Sequence, residues 1–205
     1  MFGDPVRNEK GFKLCTVRDL VSEAKYGTSS KASDDGRYPY LRMNNITYGG
    51  YWDFSDLKYI DITDKDKEKY IVRRGDLLFN RTNSKELVGK TAVFNLDQEM
   101  AIAGYLIRIR VNESANPYYL WGYLNSRHGK STLNNMCKNI VGMANINAQE
   151  LQEIRILKAP IELQNRFEVV ILKILNQKKI SEQSLQKSEE LFQSLLQRVF
   201  KGELV

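Results

Sequence analysis

Residues 160–202 read PIELQNRFEVVILKILNQKKISEQSLQKSEELFQSLLQRVFKG, and the spacing of their apolar side chains decides the architecture. Phe167, Ile171, Ile174, Leu185, Phe192, Leu195 and Val199 lie on one register of alternating threes and fours, which draws a single apolar stripe along an α-helix. Pro160 suits the helix entrance and Gly202 its exit. At about 1.5 Å per residue the rod is roughly 60 Å long, more than a compact domain needs to cover its own core, so a partner is expected. The same register passes through Lys178, Ser181 and Ser188. Polar seam positions of this kind weaken a coiled coil while fixing its register. The stretch predicts a spacer or dimerising coiled-coil strand; the alternative is two shorter helices folded back on their own domain.

Working outward, the 205 residues suffice for one ordinary domain plus this appendage, and 42% apolar with 10% aromatic content supplies a core. The predicted division is a globular domain over 1–159 and the helix over 160–205. Cys15 and Cys137 are too few for a disulfide framework, and with His128 as the single histidine no metal site or other cofactor is expected. No apolar run reaches the roughly 18 residues needed to span a bilayer, and MFGDPVRNEKGF at the N-terminus has no signal-peptide core. A cytoplasmic protein of bacterial type, without membrane attachment, is the expectation. The net charge is +6, and the tail from Pro160 carries 7 basic and 6 acidic residues. The basic excess therefore sits on the globular part, where it permits phosphate contacts without demanding them.

Residues 1–12 read as an extended linker, punctuated by Gly3, Pro5 and Gly11. A short helix or turn over Thr16 to Glu23 is predicted, followed by a polar surface loop from Lys25 to Arg37. Strands are expected at Tyr38 to Ile46, Leu57 to Ile62, Leu77 to Phe79, Thr91 to Phe94 and Ile154 to Leu157. A short charged helix is expected after Thr63, with Asp66 completing a capping box. Tyr105 to Val111 alternates, with Tyr105, Ile107, Ile109 and Val111 on one face and Leu106, Arg108 and Arg110 on the other. Asn116 and Pro117 open a helix as cap and first residue, and Asn147 with Glu150 signals another helix start. Strands and helices mix without a βαβ rhythm. The fold class is therefore α+β, a globular domain with a mixed, largely antiparallel sheet followed by one long C-terminal helix.

Several motifs mimic chemistry. Asn116-Pro117-Tyr118-Tyr119 resembles the base-holding loop of adenine methyltransferases but lacks the second proline, and no Gly-rich methyl-donor turn precedes it; a helix cap explains it. Arg74-Gly75-Asp76 is a turn feeding a strand. His128 has no second ligand or acidic partner nearby in sequence, and no set of acid, base and nucleophile can be assembled, so an enzyme is not expected. What survives are three polar loops, Lys25 to Arg42, Asn80 to Lys90 and Arg127 to Asn147. Their Arg, Lys, Ser and Asn side chains suit phosphates and base edges, although solvated loops look the same.

Five segments together resemble the specificity subunit of type I restriction-modification systems: MFGDPVRNEKGF, RRGDLLFNRTNSKELVGKTAVF, IVGMANINAQELQEIRI, APIELQNRF and LFQSLLQRVFKGEL. The resemblance implies a non-catalytic subunit. Its target-recognition domain would read one half of a split duplex sequence, while its long helix sets the gap between halves, docks methyltransferase subunits and, through the complex, engages restriction subunits. Complete members carry two such domains and two helical spacers; this chain has one of each. The departure points either to a natural half-length form or to a piece of a longer subunit; a homodimer through the C-terminal helix would restore two reading heads, on an inverted-repeat target. Within this reading Arg42, Asn44, Arg81 and Asn83 are the candidate base readers. Lys31, Arg37, Lys85, Lys90, Lys130 and Lys138 are the candidate phosphate contacts. Two other readings stay open: an independent dimeric DNA-binding regulator, and a coiled-coil adaptor whose head binds protein. Salt-dependent DNA binding separates the adaptor from the other two.

Overall fold

The computed structural model describes residues 1–84, 87–140 and 143–203, and for 138–140 the backbone alone. The chain divides into two units, Met1–Asn165 and Arg166–Val205. Thirteen strands are described: β1 (Lys13–Thr16), β2 (Val21–Tyr26), β3 (Tyr38–Leu41), β4 (Lys58–Ile60), β5 (Ile71–Val72), β6 (Leu77–Asn80), β7 (Thr82–Asn83), β8 (Thr91–Val93), β9 (Met100–Ile102), β10 (Leu106–Val111), β11 (Lys138–Ile140), β12 (Met143–Asn145) and β13 (Arg155–Lys158). The helices are α1 (Lys67–Tyr70), α2 (Pro117–Asn125), α3 (Arg127–Met136), α4 (Ala148–Gln152) and α5 (Ile161–Phe200).

An antiparallel sheet runs β2-β10-β6-β8, and a second runs β4-β3-β9-β5 with β3 and β9 parallel. Two smaller antiparallel sheets, β11-β12-β7 and β1-β13, complete the unit. This is the mixed, largely antiparallel α+β arrangement expected. The two large sheets share a core in which Leu78, Ala92, Phe94 and Leu106 meet Leu41, Val72, Met100 and Ile102.

Strand β10 departs from the alternation its sequence announces. Leu106, Ile107 and Ile109 are buried, and so is Arg108, at 0% exposure, because β10 is a central strand, paired with β2 on one side and β6 on the other. Arg108 is tolerated there because its guanidinium is engaged: Nη1 donates to the Ile71 carbonyl at 2.8 Å, and Nη2 donates to Glu23 Oε1 at 2.5 Å. Asp76 lies 3.9 Å from Arg108 Nε and accepts from Arg110 Nε at 2.9 Å. With Glu68 of α1 accepting from Arg110 Nη1 at 3.3 Å, a linked set of charges ties β2, α1, β10 and the residue that enters β6 together.

Other local differences have tertiary causes. Residues 16–23 form only a 3-10 turn, Val17–Leu20, because from Val21 the chain extends to pair with β10. The strand expected to run to Ile46 ends at Leu41. Asn45 bends the backbone by accepting from Arg42 N at 2.9 Å and donating to the Asp53 carbonyl at 2.9 Å. The basic stretch from Arg127 is helical, started by Ser126 Oγ accepting from Gly129 N.

Asn116 is a helix cap, its Oδ1 accepting from Tyr118 N at 2.9 Å. Its own N–H donates to Gln164 Oε1, whose Nε2 in turn donates to the carbonyls of Ala159 and Ser114. Gln164, fully buried, therefore pins the first turn of α5 within the first unit. Gly50, at φ +81, lies where a Cβ would come within 2.4 Å of Asn125 Nδ2 and 2.6 Å of the Thr91 carbonyl; its own carbonyl accepts from Trp121 Nε1.

In the second unit, α5 continues without a break through Lys178, Ser181 and Ser188 to Phe200. It ends on Gly202 at φ +72, with Glu203 N bonded to the Arg198 carbonyl and Gly202 N to the Val199 carbonyl, the Schellman pattern that satisfies the last carbonyls. The seam is one 40-residue helix, not two shorter ones.

Candidate nucleic-acid interface

Three of the four candidate base readers come together. Arg42, Asn44 and Arg81 line one cleft of about 750 Å³, with Tyr40, Met43, Tyr105 and the Thr28–Ser30 turn as its other walls. Arg81 is placed by its backbone: its N–H donates to the Tyr105 carbonyl at 3.0 Å and its carbonyl accepts from Ile146 N at 2.9 Å. Its guanidinium lies 4.8 Å from the Tyr26 ring centroid, and its Nε has no hydrogen-bond partner among the described residues. That Nε is itself buried; stacking on an aromatic face fixes the plane in which the terminal Nη groups of a guanidinium lie.

Arg42 and Asn44 are tethered differently. Arg42 Nη2 donates to Asp56 at both its carbonyl, 2.8 Å, and its Oδ2, 2.9 Å, and Asn44 Nδ2 reaches the same Oδ2 at 3.2 Å. Tyr40, whose hydroxyl donates to the Thr28 carbonyl, closes the floor of the cleft. Burial pushes the Tyr40 pKa up to about 12, so the hydroxyl stays a neutral donor. Asn83, the fourth candidate, sits on β7 outside this wall, with its Oδ1 turned back to Ser84 N at 2.8 Å.

The candidate phosphate contacts divide. Lys31 and Arg37 are exposed, and the Arg37 guanidinium lies 5.3 Å from the Tyr38 ring centroid. Lys85 lies outside the described residues, and Lys138 is described only as a backbone position on β11. Lys90 and Lys130 point inward. Lys90 is 7% exposed and donates to the Met43 carbonyl at 2.5 Å. Lys130 donates to the Gly89 carbonyl at 2.9 Å beneath the Tyr48 ring. These ammonium groups brace the 42–45 turn and the 80–90 loop from behind. Both were expected to contact phosphate; in the structure Lys90 is bonded to the Met43 carbonyl and Lys130 shares the Gly89 carbonyl with Thr91 Oγ1, at 3.0 Å.

Burial, and secondarily the Lys90 charge, push Lys130 down to about 8. Its folded value lies below that of an unfolded chain, so the unfolded state binds more protons between the two values. The stability contributed by this site therefore rises with pH above about 8. In melting curves from about pH 7 to pH 9.5, the wild type is expected to gain on Lys130→Met as pH rises. Parallel curves would mean that the amine is fully hydrated.

Sequence reasoning did not find Tyr26, Tyr105, Tyr48 or Asp56. The tyrosines carry no spacing signal, and Asp56 sits in a loop whose partners are set by the 3-10 turn Met43–Asn45. Among the described residues no group of three or more His, Cys, Asp or Glu could hold a metal ion, and no helix is long and apolar enough to cross a membrane.

A family model described as "Type I restriction modification DNA specificity domain" matches residues 9–191. The chain is 26% identical over 201 residues to the type I restriction enzyme EcoKI specificity subunit of Escherichia coli (strain K12), covering 94% of this chain and 43% of that one. Among solved structures, a chain from work on complex assembly and conformational transition of the type I R-M system matches 95% of this chain and 47% of its own, at TM-score 0.61 and 20% identity. The HsdS subunit from Thermoanaerobacter tengcongensis matches 82% of this chain and 38% of its own, at TM-score 0.54 and 20% identity. The chain spans less than half the length of each of these relatives.

Proposed function

Because the chain belongs to the type I restriction-modification DNA specificity family, we propose that its first unit reads one half of a bipartite duplex sequence and catalyses nothing itself. Methylation and restriction are then the work of methyltransferase and restriction subunits that assemble on it. The observation that carries this reading is the convergence of Arg42, Asn44 and Arg81 on one cleft. Arginine pairs with guanine O6 and N7, and the asparagine amide with adenine or another base edge. Exposed Lys31 and Arg37 suit the flanking phosphates, which supply affinity and register without sequence information.

The long helix serves the same function as a spacer. Ile174, Leu185, Phe192, Leu195 and Val199 are each more than 40% exposed along it. We infer that a second copy of the chain, running antiparallel, covers this stripe, giving two reading heads related by a twofold axis and hence an inverted-repeat target. The complex acts on DNA in the cytoplasm. Co-purification with a methyltransferase subunit distinguishes this function from that of a free-standing dimeric regulator.

The direct test is an anisotropy titration with a duplex selected from a random pool. Binding is expected to weaken with salt in proportion to the phosphates contacted. Arg81→Ala is expected to cost about 1–3 kcal/mol on the selected duplex and almost nothing on a scrambled one. Equal losses on both would make Arg81 a phosphate contact.

A further inference from the structure

Asp56 stands behind two of the candidate readers and belongs to none of the polar loops that the sequence singles out. Its side chain is 61% exposed, yet it organises the turn opposite it. Oδ2 receives Arg42 Nη2 at 2.9 Å and Asn44 Nδ2 at 3.2 Å, while its carbonyl receives Arg42 Nη2 at 2.8 Å and Asn45 Nδ2 at 3.1 Å.

Two consequences follow from the chemistry of these groups. A carboxylate only accepts, so the Asn44 amide must turn its Nδ2 toward Asp56 and its Oδ1 outward. The bidentate pairing of asparagine with adenine needs both amide atoms; Asp56 takes one of the two Nδ2 hydrogens, which fixes the amide plane with Oδ1 as its outward acceptor and leaves a single N–H on Nδ2. The Arg42 charge, meanwhile, is offset by the carboxylate, and the exposed carboxylate repels phosphate. This part of the surface therefore adds little to backbone affinity and cannot lie against a strand of phosphates.

We propose that Asp56 is a positioning residue that sets the polarity of the reading turn: by holding Asn44 Nδ2 and one edge of Arg42, it presents Asn44 Oδ1 and its own free oxygen as acceptors for the exocyclic amino group of an adenine or cytosine in the major groove. The inference rests on the DNA-reading function proposed above. It assigns the specificity at one base position to a hydrogen-bond acceptor rather than to the arginine.

The test is a cycle between protein and DNA. Duplex sites are first selected from a random pool with the full-length wild-type chain. Each adenine or cytosine of the enriched motif is then replaced singly by an analogue without the major-groove amino group: 2-aminopurine, whose amino group lies in the minor groove, for adenine, and 2-pyrimidinone for cytosine. At one position the deletion is expected to weaken wild-type binding about tenfold and to leave Asp56→Ala binding within about twofold, since the contact is already lost there. Asp56→Ala should also bind scrambled duplex more tightly and with a steeper salt dependence, because the Arg42 charge is released. The isosteric Asp56→Asn, which substitutes a donor for one acceptor, supplies the same cycle should the alanine variant not fold. If every deletion costs wild type and variants equally, the role of Asp56 is refuted while DNA reading stands. If the wild type enriches no motif, DNA reading itself is refuted and this inference with it.

Discussion

The double substitution Phe192→Lys, Leu195→Lys is expected to convert a dimer of this chain into monomers, read as a halving of mass by sedimentation or light scattering. Phe192 is 58% and Leu195 41% exposed in the single chain, so the proposed second copy would have them to cover. Fully burying an apolar side chain of this size contributes about 1.5–3 kcal/mol. A twofold dimer loses each contact twice, so the pair costs roughly 6–12 kcal/mol of association. A micromolar dimer is held by only about 8 kcal/mol, so the loss should be complete rather than graded. The melting temperature of the first unit should not move, because neither residue belongs to it. Seam substitutions that leave the mass unchanged would remove the antiparallel helix pair from the proposed function. The polar middle of the stripe sharpens the expectation: with Lys178, Ser181 and Ser188 adding little, the proposed dimer would depend on its two ends.

Arg108→Met is expected to destabilise the first unit by about 3–5 kcal/mol, measured as a drop in the urea midpoint at unchanged slope. Methionine keeps most of the volume, so the loss reports the charge and its bonds. Without the guanidinium, the Ile71 carbonyl loses its donor at 2.8 Å and Glu23 loses a partner at 2.5 Å. Asp76, 3% exposed, then has to be neutralised by Arg110 alone. The loss is a large share of the roughly 5–15 kcal/mol that holds a domain together. Arg73→Met is the control, since Arg73 pairs with Glu68 at the surface, where both side chains are more than 60% exposed, and should cost no more than about 1 kcal/mol. Comparable losses in the two variants would mean that burial gives Arg108 no special weight.

Much of the site escaped the sequence for an identifiable reason. That Arg42, Asn44 and Arg81 share one cleft was not legible in the sequence, which offered them only as polar side chains in apolar-poor loops. Lys90 and Lys130 carried the same signal, yet the structure turns both inward to backbone carbonyls. Lysine has the same composition signature whether its ammonium meets phosphate or, as here, a carbonyl at Met43 or Gly89. Asp56 carried no signal, since its contacts exist only once the 3-10 turn Met43–Asn45 has brought Arg42 and Asn44 against it.

By itself the sequence determined the features that depend on near neighbours in the chain: the uninterrupted α5 with its stripe, the Asn116 cap, the Gly202 stop and the absence of a βαβ rhythm. These follow from periods of two and of three to four residues and from caps reaching two or three positions away, so a short window contains their cause. The tertiary structure decided the features whose partners are remote: Arg108 with Glu23 across 85 residues, Lys90 with Met43 across 47, Arg42 with Asp56 across 14. In each case the side chain's environment, and with it its charge, its free edge and its use, comes from a segment the local pattern cannot name.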